Sequence, residues 1–335
     1  MALRYVPYAE THDRPNVVVD GAPNAASVLS LSHWPGLAQP PGIGADLSAQ
    51  MVFRHLDGPG PAAAGAEVVT CDHFDQDGLV SVFALVDPQR AVAHRSLLID
   101  VAAAGDFATY RHRAAARASM ALWTYGHAEQ SPLAAELAAL DDAADRDALL
   151  FTTLLPLLVE LVTTPEGHRH LWAEEDERLA ASERAIATGA AIIDERPDLD
   201  LVIVTVPGDG VDRSGHRFGT GAMELRPIHP MAINNASGRF RQLFVDDRCY
   251  RYVDRYETWV QYRSRRPLPR VDLRPLAEAL TAVEPRRGRW HADGPGSLTP
   301  ALWSEDSALD PPIVIGAIAA HLETAPPAWN PYLVP

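Results

Sequence analysis

The chain has 335 residues, 47% hydrophobic and 22% charged, with 29 basic against 44 acidic side chains and a formal net charge of −15. Such a length suits two domains, each burying its own core, and such a composition excludes disordered and fibrous architectures. The negative balance weighs against long duplex nucleic acid as a partner, because a polyphosphate backbone is repelled unless cations cluster locally.

Every basic residue is arginine, so a catalytic lysine is excluded. Two cysteines, Cys71 and Cys249, stand far apart with no CxxC spacing, which leaves any metal to His and carboxylate ligands. The longest apolar stretch, 149–162, carries Pro156 and Glu160 and is shorter than the roughly 20 residues a bilayer span needs. No membrane partner is expected. The N-terminal residues have no apolar core after a basic flank, so no secretory signal is expected and the cytoplasm is the default compartment.

In chain order, NVVVDG and VLSLSHW read as two β-strands, Val17–Val19 and Val28–Leu31, each closing on a residue able to bind a ligand, Asp20 and His33. The segment 45–56 reads as a short amphipathic helix, and GPGPAAAG at 58–65 reads as a connector. A strand at Val68–Cys71 then runs into an acidic turn and a helix beginning near Gly78, and RSLLIDVA at 95–102 reads as a further strand closing on Asp100. Strands with polar C-terminal ends alternating with helices predict an α/β fold with a parallel sheet and a site at those ends. Helical spacing dominates from about 107 to 195, and β patterning restarts at 199–207, with strands at Arg239–Val245 and Tyr256–Tyr262 and a helix at Leu273–Val283. Three regions follow: a metal-binding catalytic domain over 1–130, a helical bridge or cap over 131–197, and a smaller C-terminal α/β substrate domain over 198–335.

The sharpest feature is DHFDQDG at 72–78, which places His73, Asp75 and Asp77 directly after a strand. Alternate residues of an extended turn point the same way, and crowded nitrogen and oxygen donors suit Mn²⁺, Zn²⁺ or Mg²⁺. An Asp-rich turn ahead of a helix also serves as a cap for free N–H groups. Asp20, His33 and Asp100 add three donors at other strand ends. Carboxylates crowded without a cation repel one another, so a divalent metal is their natural partner.

HFDQDGLVSVFAL resembles motif I of the DHH phosphoesterases, in the RecJ-like form. VVVDG resembles motif II, and VLSLSHWPG resembles motif III, with Ser32, His33 and Trp34 where the family has Asp, His and His. LLIDVAAAGDFATYRHRAAARASMAL resembles motif IV, with Asp100 as its carboxylate and Asp106 as a competing choice. The order here is II, III, I, IV, that of a circular permutation, which a parallel sheet tolerates because packing holds its strands. YRSRRPLPRVDLRPLAEAL with GRWHADG resembles the DHH-associated domain, where an arginine-rich strand and a glycine-rich loop grip substrate.

The resemblance implies a dinuclear, metal-dependent hydrolase, with Mn²⁺ as the family's usual metal. One ion is expected on His73, Asp75 and Asp20, and the other on Asp77, Asp20, His33 and Asp100, with Asp20 or Asp77 bridging and Asp77, Asp20 and His33 at the catalytic centre. Water activated by the ions is expected to attack phosphorus. The expected substrate is a small phosphorylated metabolite, a nucleotide or a short oligonucleotide. Arg263, Arg265, Arg266 and His291 are expected to bind it, and a solvated arginine strand is the competing reading. His229 and Arg239 lie in a stretch, 229–241, read as a loop that lines the cleft or as an ordinary polar turn. Trp34 cannot act as a general acid. Two other classes stay open: a metal enzyme of another reaction, such as amide hydrolysis or specialised metabolism, and a non-catalytic binding protein with a degenerate site. GHRFGTG at 215–221 lacks a Walker lysine and implies no cofactor, while His168 and His170 are read as structural.

Overall fold

A computed structural model of the chain describes residues 2–58, 65–127, 129–206, 227–285 and 288–333. The connector at 59–64 and the GHRFGTG stretch lie outside the described residues. The chain divides into two compact units, residues 1–176 with 262–264, and residues 177–261 with 265–335. The helical bridge expected over 131–197 is thereby split between them.

The first unit has a four-stranded parallel sheet made of Arg4–Tyr5 (β1), Asn16–Val19 (β2), Ser27–Leu31 (β3) and Val68–Thr70 (β4), in the order β1-β4-β2-β3. Every residue of β2 and β4 is buried, as the uninterrupted runs NVVV and VVT require of strands covered on both faces. Helix Ser48–Asp57 (α1) packs on β2 and β3, and Gln76–Val86 (α2) packs on β1, β2 and β4. Helices Pro88–Ala93 (α3), Arg95–Asp106 (α4) and Arg113–Gly126 (α5) follow, with α4 lying against α2 and α5 against α4. Because α2 lies between the sheet and α4, its residues 76–85 are all buried, which explains the apolar GLVSVFALV. The unit continues with Ala134–Ala138 (α6), Ala143–Leu154 (α7), Leu158–Thr163 (α8) and the first turns of Arg169–Thr188 (α9).

The second unit contains Ile192–Arg196 (β5), Leu201–Thr205 (β6), Pro230–Ala236 (α10), Arg241–Asp246 (β7), Cys249–Asp254 (β8), Arg270–Val271 (β9), Arg274–Val283 (α11), His291–Ala292 (β10), Ala301–Ser304 (β11), Pro311–Thr324 (α12) and Pro327–Trp329 (β12). Its main sheet has the order β10-β11-β8-β7-β6-β5 and is mixed, with β6 and β7 parallel and the other pairs antiparallel. Leu276 and Leu280 of α11 and Val314, Ile318 and Leu322 of α12 close its core over Leu243, Tyr250 and Tyr252. Among the described residues no helix is long and apolar enough to cross a membrane.

Four local expectations are corrected. RSLLIDVA is not a strand but the start of α4, because Leu98, Val101 and Ala102 are buried at helical spacing and Ala102–Ala104 extend the helix. Tyr256–Tyr262 is not a strand, since Tyr256–Thr258 forms a 3₁₀ turn in which Trp259 N–H donates to the Tyr256 carbonyl. Residues 229–241 hold a helix, α10, started by Pro230 and capped by the His229 ring, which accepts from Met231 N–H at 3.1 Å. The arginine-rich stretch 263–266 is no strand, consistent with Pro267 and Pro269 beside it, which lack the N–H a ladder needs.

The α2–α4 contact leaves no room at Gly105, where a Cβ would stand 2.6 Å from Gln76 Cβ. Gly105→Ala is expected to lower the unfolding free energy by about 1–3 kcal/mol through overpacking. Thermal denaturation followed by circular dichroism checks this, and an unchanged midpoint contradicts the packing described.

Candidate metal centre

Asp20 directly follows β2 with a φ of 47°, in the left-handed region that an Asp tolerates better than most side chains, and it is buried. This turn aims its carboxylate across the ends of the parallel strands. His33 stands two residues beyond β3, fully buried. Its Nδ1 lies 2.5 Å from the Asp46 carbonyl oxygen, which can only accept, so Nδ1 carries the hydrogen and Nε2 presents its lone pair to the interior. That Nε2 is 3.3 Å from Asp20 Oδ1 and 3.5 Å from Asp106 Oδ2.

The turn between β4 and α2 supplies the remaining donors. Asp75 caps α2, its Oδ1 accepting from Gly78 N–H at 2.7 Å, while its Oδ2 lies 3.2 Å from His73 Nε2. Asp77, in the first turn of α2, accepts from Ser48 N–H and Ala49 N–H, both at 2.7 Å, at the positive end of α1. The Ser48 hydroxyl donates to Asp20 Oδ1 at 2.8 Å, linking the same helix start to the strand end. A Cβ at Gly78 would stand 2.9 Å from Cys71 Sγ, so only glycine lets α2 begin this close to the cluster.

Two triads result, each with ligand atoms within 4.8 Å of one another: Asp20, His33 and Asp77, and Asp20, His73 and Asp75. The first is wholly buried and is the deep triad; the second is half-exposed at His73 and Asp75 and is the outer triad. Asp20 belongs to both. These are the oxygen and imidazole donors that Mn²⁺, Mg²⁺ and Zn²⁺ accept, and each triad can hold one such ion. Asp20 Oδ2 and Asp106 Oδ2 are buried and lack a hydrogen-bond partner among the described residues, as donors awaiting a cation would be. A third group, Cys71, Asp72 and His73, is also close-set, but burial pushes the Cys71 thiol up to about 12, which keeps it protonated.

Burial and crowding perturb the titrations of the two triads and of Asp106. Burial, then the Asp75 and Asp77 carboxylates, raise Asp20 and Asp106 well above the ordinary carboxylate value. Burial and Asp75 push Asp77 up to about 7, and burial takes His33 down to about 4. Burial opposes charging His73, but the Asp75 carboxylate and hydrogen bonds to Asp72 and Asp75 outweigh it and raise its pKa. Burial likewise raises Asp75, yet His73 prevails and lowers it.

Of the six expected metal ligands, Asp20, His33, His73, Asp75 and Asp77 are brought together, and Asp100 is not. Asp100 sits in the middle of α4, where its carboxylate accepts from Arg111 N–H and His112 N–H at 2.9 and 2.7 Å and pins the turn into α5. Asp106, at the end of the same helix, is the carboxylate beside His33. Sequence reasoning missed Ser48, Asp46 and Asp72 as supporting groups. Asp72 stood inside the singled-out string, whereas nothing marks Ser48 before the fold brings it there.

The expected substrate-binding residues are largely engaged elsewhere. Arg265 donates to Asp200 Oδ1 at 2.7 Å with its guanidinium 3.6 Å from the Phe240 ring centroid, and Arg239 pairs with Glu195 at 3.0 Å. Arg266 lies over the Tyr332 ring, His291 stacks on Trp303, and His229 is the buried cap of α10. Arg263 belongs to the first unit, where its backbone N–H donates to Asp46 Oδ1 at 2.5 Å and its side-chain Nε donates to Gln39 at 2.8 Å. It thereby touches the residue whose carbonyl orients His33. On the same side, Tyr262 packs edge-on against Phe107, which neighbours His33.

Residues 1–330 match a family described as a family of unknown function, DUF6687. No curated protein matches the chain. Among solved structures, RecJ in complex with Mg²⁺ from Thermus thermophilus is 15% identical, with a TM-score of 0.28, over 96% of this chain and 46% of that one. The chain thus spans under half the length of that protein.

Above pH 6.5 the metal-free protein should lose stability as pH rises. Folded Asp77, pushed up to about 7, holds until then a proton that the unfolded chain has released, His73 is raised above its unfolded value, Asp20 and Asp106 are shifted in the same sense, and His33, which acts in the opposite sense, no longer contributes above its unfolded value. The expected fall is about 1.4 kcal/mol per pH unit for each proton retained, or ~2–4 °C in midpoint per kcal/mol. Calorimetric melting between pH 6.5 and 8.5 measures it, and a flat profile excludes protonated buried carboxylates.

Proposed function

The chain belongs to the DUF6687 family, and we propose that this member is a divalent-metal-dependent hydrolase of phosphate esters, relating to the DHH phosphoesterases by permutation. The observation that carries the reading is Asp20, one buried carboxylate shared by two His–carboxylate triads at the C-terminal ends of parallel strands. The order of the ligands along the chain, Asp20 and His33 before His73, Asp75 and Asp77, is the order such a permuted domain requires.

When bound, a pair of divalent cations supplies Lewis acidity and lowers the pKa of water enough to provide a nucleophile near neutral pH. The chain's own residues do the rest. Asp20 would help hold both ions, since one of its oxygens faces His33 and the other His73. His33 stays neutral, its tautomer held by the Asp46 carbonyl, so Nε2 is a ligand rather than a proton donor. Asp77 is held rigidly by two N–H groups of α1, and Asp106 completes the deep side in the role first expected of Asp100. The deep triad excludes water from one side, and the half-exposed His73 and Asp75 mark the side from which substrate enters. Net charge favours a small phosphorylated metabolite, nucleotide or short oligonucleotide over a long polyanion. Arg263 is the cation we assign to the substrate's charged oxygens, since it lies in the same unit as the triads, with its backbone against Asp46 and its guanidinium on the neutral side chain of Gln39.

Asp20→Asn tests the bridging role, because Asn tolerates the left-handed backbone while offering one oxygen instead of two. Metal analysis is expected to find two ions per wild-type chain after Mn²⁺ addition. In the variant we expect loss of bound metal and at least a ~100-fold drop in hydrolysis of bis-p-nitrophenyl phosphate or short dinucleotides. Full turnover by a metal-free Asp20→Asn protein refutes the proposal, and wild-type protein that takes up no ion favours a binding module.

A further inference from the structure

The geometry points to Asp72 as a positioning residue for the outer ion: its carboxylate fixes the His73 ring so that Nε2 faces Asp75 and Asp20. This rests on the metal-dependent reading above and deepens it. Asp72 Oδ1 lies 3.0 Å from His73 Nδ1, and Asp72 Oδ2 accepts from Ala22 N–H at 3.0 Å. Ala22 lies two residues beyond Asp20. One side chain therefore ties the turn that carries His73 to the loop that carries the bridging carboxylate.

The fit leaves no slack, since a Cβ at Gly21 would stand 2.1 Å from Asp72 Oδ1. With Nδ1 engaged, Nε2 comes to 3.2 Å from Asp75 Oδ2 and 3.9 Å from Asp20 Oδ2. Without Asp72, rotation about the Cβ–Cγ bond carries Nε2 off this pair. The alternative partner for Nδ1, Cys71 Sγ, is 3.9 Å away and holds its ring neighbour only weakly. Carboxylates behind a ligating imidazole typically strengthen metal affinity about 10–100-fold.

The effect is confined to one triad. His33 of the deep triad takes its own support from the Asp46 carbonyl. Half-exposed His73 needs such support more than fully buried His33 does.

Isothermal titration of Mn²⁺ into the metal-stripped full chain tests this with wild type, Asp72→Ala, Asp72→Asn and Gly21→Ala. Two steps are expected for wild type. Asp72→Ala is expected to keep the tight step and weaken the second about 10–100-fold. Gly21→Ala should do the same with Asp72 still present, by displacing its carboxylate. Asp72→Asn retains an acceptor for Nδ1–H and should fall between wild type and Asp72→Ala; it also serves if Asp72→Ala does not fold. An unchanged second step in Asp72→Ala or Asp72→Asn, or equal weakening of both steps, overturns the positioning role while the metal reading stands. Wild type that binds no ion overturns both.

Discussion

The first unit is organised around a group of carboxylates that cannot all be charged at once. Asp20, Asp75, Asp77 and Asp106 converge with His33 and His73, and burial removes the water that would separate their charges. Protons or cations must relieve that repulsion. A fold selected for stability alone would not gather them, because uncompensated buried charge is among the costliest features a protein can carry. The supporting contacts have the same purpose: the start of α1 donates to Asp77, Ser48 steadies Asp20, and Asp75 caps the helix that brings Asp77 in.

The scaffold explains why the group holds its geometry. Parallel strands β2, β3 and β4 bring Asp20, His33 and the 72–77 turn to their C-terminal ends, and α2, buried over 76–85, anchors two of the carboxylates to the core. Gly78 and Gly105 mark where α2 approaches the cluster and α4 too closely for a side chain. A position set by core packing is harder to displace than one set by a loop.

Much of this site was legible in the residues, because polar groups closing apolar strands at Asp20, His33 and Cys71–Asp77 leave a local pattern. The competing interpretation of the acidic turn as a cap describes real contacts: Asp75 caps α2, and Asp77 holds the start of α1. Capping and ligation are compatible, since a carboxylate has lone pairs for both. Asp100 misled because LLID is short enough to be strand or helix, and only the buried spacing of Leu98, Val101 and Ala102 decides for helix. The contacts of the C-terminal arginines were hidden for a different reason. Their partners, Asp200, Glu195, Phe240 and Tyr332, lie far away in sequence, and no local pattern reveals such pairing.

The two thiols are unequally placed: Cys71 lies buried in the first unit beneath the Asp20 carbonyl, and Cys249 is exposed in the second. A maleimide or other alkylating reagent added in a brief pulse therefore modifies Cys249 in the native protein and reaches Cys71 when the end of β4 opens. Mass spectrometry of the labelled peptides would then time the opening of that strand end separately from the rest of the chain, without any introduced reporter.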